Sequence, residues 1–387
     1  MNRRNFITKS GVGAAVAAAT VLTKNSLGSS LVETRLEAAQ AARPAAVRTR
    51  PVLVKLGGGG NPYDENSLMN IIRFGVNDIT ASVRIEDPKR LYGTADEFAK
   101  MRELPDKLGV RIAQLSPPQL GSSHIDREQN PYIMLGKSPE RDREIEGFQM
   151  MIRNAGAAGI PIIKYNMSLL GVLRTGPVKG RGDTSYTNFN LAKARQNPPN
   201  PPLTRAGKVT ADLYWERITY FLEKVVPVAA ENKVKIACHP NDSMTPPEGY
   251  QGIDAVLSTF DGLKKFVTIK DNPYHGLNLC LGCLAEMAMK PADDVWEPLN
   301  WLAQRKKIHN IHFRAIKGNR ENFSEVAPDE GEVDLTRAVS VLADHAYGGM
   351  VAPDHSVNSP GDTSGGQAYT AFVYGYISAA IKAASRV

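Results

Sequence analysis

Short apolar runs alternate along this chain with longer stretches in which apolar residues return at helical spacing. Runs at 52–56, 78–83, 110–115, 160–166, 235–239, 276–281, 308–313 and 349–353 have the length of buried strands. Between them lie helical patterns at 66–74, 96–108, 139–156, 211–231, 253–267, 294–305, 334–345 and 367–384. In 139–156, Ile145, Phe148, Met151 and Ile152 share one face; in 211–231, Leu213, Ile218, Phe221, Leu222 and Val225 do. Such alternation predicts an α/β fold with a parallel sheet, and its number of units a single-domain (β/α)8 TIM barrel over 50–387. An open doubly wound sheet is the competing arrangement. One stretch, 176–207, breaks the rhythm: it is polar, rich in Gly, Pro and Asn, and has no apolar period. A connection of that length is expected to be a lid, a binding loop or disorder.

The N-terminus does not follow the pattern. Arg3-Arg4-Asn5-Phe6-Ile7-Thr8-Lys9 has the form of a twin-arginine export signal, and a small-residue run at 11–22 follows. That run is too short and alanine-rich for a stable membrane span. Residues 1–45 therefore read as signal and linker, which predicts the twin-arginine export machinery as a partner and a periplasmic or otherwise exported location. A disordered basic tail is the alternative. The formal charge of +7 comes from scattered Lys and Arg, without a basic cluster interleaved with aromatics, so no nucleic-acid partner is expected. The glycine run 57–60 lacks the Lys-Ser/Thr of a phosphate loop and is expected as a sharp turn.

Chemistry gathers at the ends of the later strands, where the active sites of such barrels lie. His239 ends the strand at 235–239, Cys280 lies at the end of the next, His312 near the end of the third and Asp354 just past the last. Taken singly, each has a plainer role in packing or turn capping. Jointly, imidazole, thiolate and carboxylate at consecutive strand ends suit one divalent ion, Zn²⁺, Fe²⁺ or Mn²⁺. Cys238 faces away from His239 and is expected in the core. Cys283 is open between a free thiol and a bridge to Cys280. His275, His309 and His345 are expected to be structural, and His124 is undecided.

The runs Cys238-His239-Pro240-Asn241-Asp242, Leu279-Cys280-Leu281-Gly282, Ile311-His312-Phe313-Arg314 and Pro353-Asp354-His355 resemble the metal-site strands of the D-mannonate dehydratases, within the xylose-isomerase-like barrels. So do Ile163-Lys164-Tyr165-Asn166-Met167 and Leu173-Arg174-Thr175. The resemblance covers about residues 145–385 and implies a metal-dependent lyase that eliminates water from a sugar acid, giving a 2-keto-3-deoxy acid. It implies His239, Cys280, His312 and Asp354 as ligands of Mn²⁺ or a similar ion. Arg174, Arg314, Asn166 and Lys164 would contact a small carbohydrate substrate, and His355 and Tyr369 would act as acid–base groups. Departures fall on the substrate side: Ser356-Val357 stands where that family has Gly-His, and Val373-Tyr374 where it has Gly-Arg. A metal-dependent sugar isomerase or epimerase, or a lyase acting on a glycoside or keto-sugar, is the alternative. Homo-oligomerisation is left open.

Overall fold

A computed structural model describes residues 49–386 apart from 197–200, 243–245, 247–248, 358 and 363–365. Residues Arg50–Ser385 form one compact unit, and the segment read as an export signal lies outside the described residues. In chain order the strands are β1 (Lys55–Gly59), β2 (Asp78–Ala81), β3 (Arg111–Leu115), β4 (Ile162–Asn166), β5 (Gly176–Lys179), β6 (Ser185–Asn190), β7 (Lys235–His239), β8 (His275–Cys280), β9 (Ile308–Phe313), β10 (Ala315–Asn319), β11 (Asn322–Val326) and β12 (Met350–Pro353). Eight of them, β1-β12-β9-β8-β7-β4-β3-β2, close into a barrel with parallel pairing throughout. The closed barrel replaces the open-sheet alternative.

Helices cover the barrel because each carries one apolar face. In the helix Ala211–Glu231, capped by the Thr210 side chain, Tyr214, Ile218, Phe221, Leu222 and Val225 are buried. Phe221 packs at centroid distances of 5.2 Å on Phe148 and 5.5 Å on Tyr165, tying this helix to the helix Glu140–Ala157 and to β4. Phe221→Ala is expected to lower the unfolding free energy by about 3–5 kcal/mol, read from urea denaturation, because the barrel wall cannot close over the void.

Two expectations change. The helix expected from residue 253 begins at Phe260, because Thr259 caps it and residues around Ile253 turn back onto Tyr250. The glycine run is not a turn. It lies largely within β1, where a side chain on Gly57 would meet Met350 Sδ at 2.6 Å.

The stretch 176–207 is not a bare connection. It supplies β5 and β6, and these join β10 and β11 in an antiparallel sheet of order β10-β11-β6-β5. Tyr186 and Phe189 are the buried apolar positions of β6, Phe189 packing on Phe323 at 5.6 Å, and the signal is weak because the β11 partner lies more than a hundred residues away. β10 starts two residues after β9 ends, so this sheet stands over the C-terminal end of the barrel wall. No helix among the described residues is long and apolar enough to cross a membrane.

Candidate active site

Parallel register brings the four strand-end donors together. Cys280 pairs with His312, His312 with Ala352, and Asp354 follows β12 directly. One ligand atom from each of His239, Cys280, His312 and Asp354 lies within 4.8 Å of the others. His239 Nε2 is 3.2 Å from His312 Nδ1, which is itself 3.2 Å from Asp354 Oδ1. Cys280 Sγ is 3.5 Å from Asp354 Oδ2. His239 Nδ1, 2.6 Å from the Pro240 carbonyl oxygen, donates its proton there, and that leaves the Nε2 lone pair facing the group.

The electrostatics favour ligation. Burial raises a thiol's pKa, but the hydrogen bond from Cys283 and the Arg314 guanidinium outweigh it and hold Cys280 well below the ordinary value. It is a thiolate. Burial likewise works against the Asp354 carboxylate, yet His312 and Arg314 hold its pKa well below the usual range. His239 is pushed down, first by burial, and stays neutral. Two imidazoles, a thiolate and a carboxylate converging in this way fit a borderline divalent cation.

Beside this group lies a second, ionic layer. Arg314, only 4% exposed, donates through Nη1 to Asp242 Oδ2 at 2.8 Å and to Glu325 Oε1 at 2.7 Å. Its Nη2 donates to Glu286 Oε1 and to Cys283 Sγ, both at 3.0 Å. Arg174 donates to Asp242 Oδ1 at 2.9 Å and also pairs with Glu325. Two guanidiniums thus bridge three buried acidic side chains, of which Glu286 has its pKa pushed up to about 8, first by burial. Contact of Arg314 with a substrate would require one of these partners to move.

His355 stands at the edge of the layer, 35% exposed at its side chain, with Nδ1 2.7 Å from Glu325 Oε1 and 2.9 Å from Arg314 Nη1, and Nε2 3.6 Å from Asp242 Oδ2. Burial lowers its pKa, but the bond to Glu325 and the Asp354 charge prevail and raise it to about 9. Tyr369 is half-buried, its Oη 3.4 Å from the Val326 carbonyl oxygen, and burial raises its pKa, so it keeps its proton. Asn166 ends β4 opposite His239 in register, and Lys164 lies opposite Ala237.

The remaining candidates separate cleanly. Cys238 is buried and absent from the donor group. Cys283 is a free thiol that receives Arg314. His124 accepts from the Asp126 backbone and meets Gln251, His275 Nε2 meets the Phe266 carbonyl oxygen, and His345 meets Asn300 at a helix end. Asp242, Glu286 and Glu325 were not singled out from the sequence. Glu286 carried a signal, a lone acid in the apolar run 281–288, whereas Glu325 reaches the site only through the β10–β11 hairpin.

A profile of the D-mannonate dehydratase (UxuA) family matches residues 202–384, a span that holds all four donors, Arg314, Glu325 and His355. The mannonate dehydratase of Streptococcus pneumoniae is 26% identical over 291 residues, covering 69% of this chain and 75% of that one. The chain is similar to the D-mannonate dehydratases. That of Thermotoga neapolitana is 27% identical over 292 residues, covering 67% and 77% of the two chains. The crystal structure of the mannonate dehydratase from Streptococcus suis superposes with a TM-score of 0.70 at 22% identity, covering 86% of this chain and 97% of the other. The two chains therefore share the closed-barrel fold. Arg174, Asn166 and Lys164 precede the profile match.

Proposed function

We propose that this chain is a hydro-lyase that eliminates water from a sugar acid of the D-mannonate type, giving a 2-keto-3-deoxy acid. The observation that carries it is the four-donor group beside a histidine, His355, held by Glu325 and Asp242. His239, Cys280, His312 and Asp354 would hold one divalent ion, with Mn²⁺ favoured over Fe²⁺ and Zn²⁺. Bound there, the ion supplies Lewis-acid stabilisation for charge developing on the substrate carboxylate.

The chain's own groups divide the proton work. His355 is protonated at neutral pH and delivers its Nε2 proton to the departing hydroxyl, which leaves as water as the C–O bond breaks. Its Nδ1–H stays on Glu325, which holds the ring. The proton on the carbon next to the carboxylate passes to a mouth carboxylate, and Asp242 stands beside His355 for that role. Tyr369, also protonated, hydrogen-bonds a substrate hydroxyl. Arg174, Lys164 and Asn166 orient the sugar chain, and Arg314 holds the acids in place.

Incubating the Mn²⁺-loaded chain with D-mannonate and a panel of aldonic and uronic acids tests this. The expected product is lighter by one water and thiobarbiturate-positive after periodate. A product of unchanged mass would make the chain an isomerase or epimerase instead. The pH profile adds a second check. Activity should fall as pH rises through about 9, where His355 loses its proton. Glu325→Gln removes the anion that raises this pKa, so the alkaline limb should move at least about one unit lower.

Arg3 and Arg4 ahead of Phe6 support export by the twin-arginine route. Changing both to Lys should retain the chain in the cytoplasmic fraction, and an unchanged exported pool would remove the proposal.

A further inference from the structure

The opposite end of the barrel holds a feature that the dehydratase reading leaves unused. β1, β3 and β7 each begin on a cation, Lys55, Arg111 and Lys235, and Lys307 precedes β9. A cavity of about 350 Å³ opens there, lined by Lys55, Arg111, Lys233, Lys235, Lys306 and His309 among others, with no carboxylate in its wall.

Three of these cations are already engaged: Arg111 pairs with Asp78, Lys307 with Asp271, and Lys306 donates to the His345 carbonyl oxygen. The ammonium groups of Lys55, Lys233 and Lys235 have no ion-pair partner among the described residues. Burial lowers the Lys235 pKa with no counter-charge to offset it. All three lysines are exposed at the rim of the cavity, where like charges gathered together repel and an anion would relieve that repulsion.

His309 gives the independent observation. It is 2% exposed, and neither Nδ1 nor Nε2 has a hydrogen-bond partner. Strict alternation would turn it away from the barrel interior, as the sequence suggested. However, β8 and β9 pair Leu277 with Ile308 and Asn278 with Asn310, so His309 is a bulged residue. The bulge brings its ring to Gly276, where a Cβ would lie 2.6 Å from Nε2. Gly276 shares a strand face with Asn278, which bonds Gln114 and Asn310 across the barrel interior at 3.2 and 2.6 Å. The imidazole thus sits inside the barrel, in the layer below those amides. Buried polar atoms without a protein partner call for a water, an ion or a ligand to satisfy them, and this ring lines the cationic cavity.

We propose that this N-terminal mouth is an anion site for a phosphate group, held by Lys55, Lys235, Arg111 and the His309 ring. Its volume exceeds that of inorganic phosphate, so the phosphate could be free or borne on a small metabolite. Active sites of these barrels lie at the other end, so the site is separate from the four-donor group.

Calorimetric titration of the full chain with inorganic phosphate, and separately with glucose 6-phosphate, tests it. At least one should bind with a Kd below about 1 mM. Tenfold tighter binding of the sugar phosphate assigns the site to an organic phosphate, and equal affinity to the free ion. Binding should persist in Cys280→Ala and weaken at least about tenfold in Lys235→Gln, with dehydratase turnover unchanged in the latter. Lys55→Gln, at an exposed strand start, serves the same purpose should Lys235→Gln fold poorly. On the unaltered chain, phosphate should shift the His309 ring ¹⁵N resonances, assigned by their loss in His309→Gln. No binding by about 10 mM, or affinity unchanged in both lysine variants, would overturn the proposal.

Discussion

Replacing Cys280 by alanine is expected to take bound metal from about one per chain to under a tenth, and turnover down by about a thousandfold or more. The estimate follows from position: groups that only orient ligands typically cost about 10–100-fold when lost, and a direct donor costs more. Cys280 supplies negative charge to the group along with Asp354, and its thiolate is held by Cys283 and Arg314 even though it is fully buried. Alanine leaves two imidazoles and a carboxylate, which His312 can engage directly as an ion pair at 3.2 Å. Metal analysis of the purified variant beside the parent chain reads the outcome. A variant that keeps full metal and full activity would remove Cys280 from the site and with it the dehydratase proposal.

Replacing Arg314 by leucine should be as damaging, but to the fold rather than to metal content alone. Its guanidinium is shared among Asp242, Glu286 and Glu325 with Cys283 as a further acceptor. Removing it leaves the buried carboxylates of Asp242 and Glu325 facing Arg174 alone, and unpairing a buried charge costs about 3–5 kcal/mol. Urea denaturation should show a loss of that size, and a change under about 1 kcal/mol would mean that water reaches this layer and replaces the ion pairs. Arg314→Lys should recover only part, because an ammonium cannot span the fork of contacts that the planar group makes.

What the sequence determined by itself is what depends on local period and on strand ends. Apolar runs at 235–239 and 308–313 and the amphipathic helix at 211–231 could be bounded almost to the residue, because burial on one face writes itself into spacing. His239, Cys280, His312 and Asp354 stood out for the same reason, since a barrel presents its strand ends at one mouth. Tertiary structure alone decided the rest. The sheet built from 176–190 and 315–326 depends on pairing between distant strands, which leaves little local trace when only a few side chains, Tyr186, Phe189, Ile316 and Phe323 among them, are buried. That sheet delivers Glu325, which fixes the charge of His355 and occupies the arginines expected to meet substrate. The inward turn of His309 came from a bulge, a one-residue offset between neighbouring strands that no periodicity can reveal.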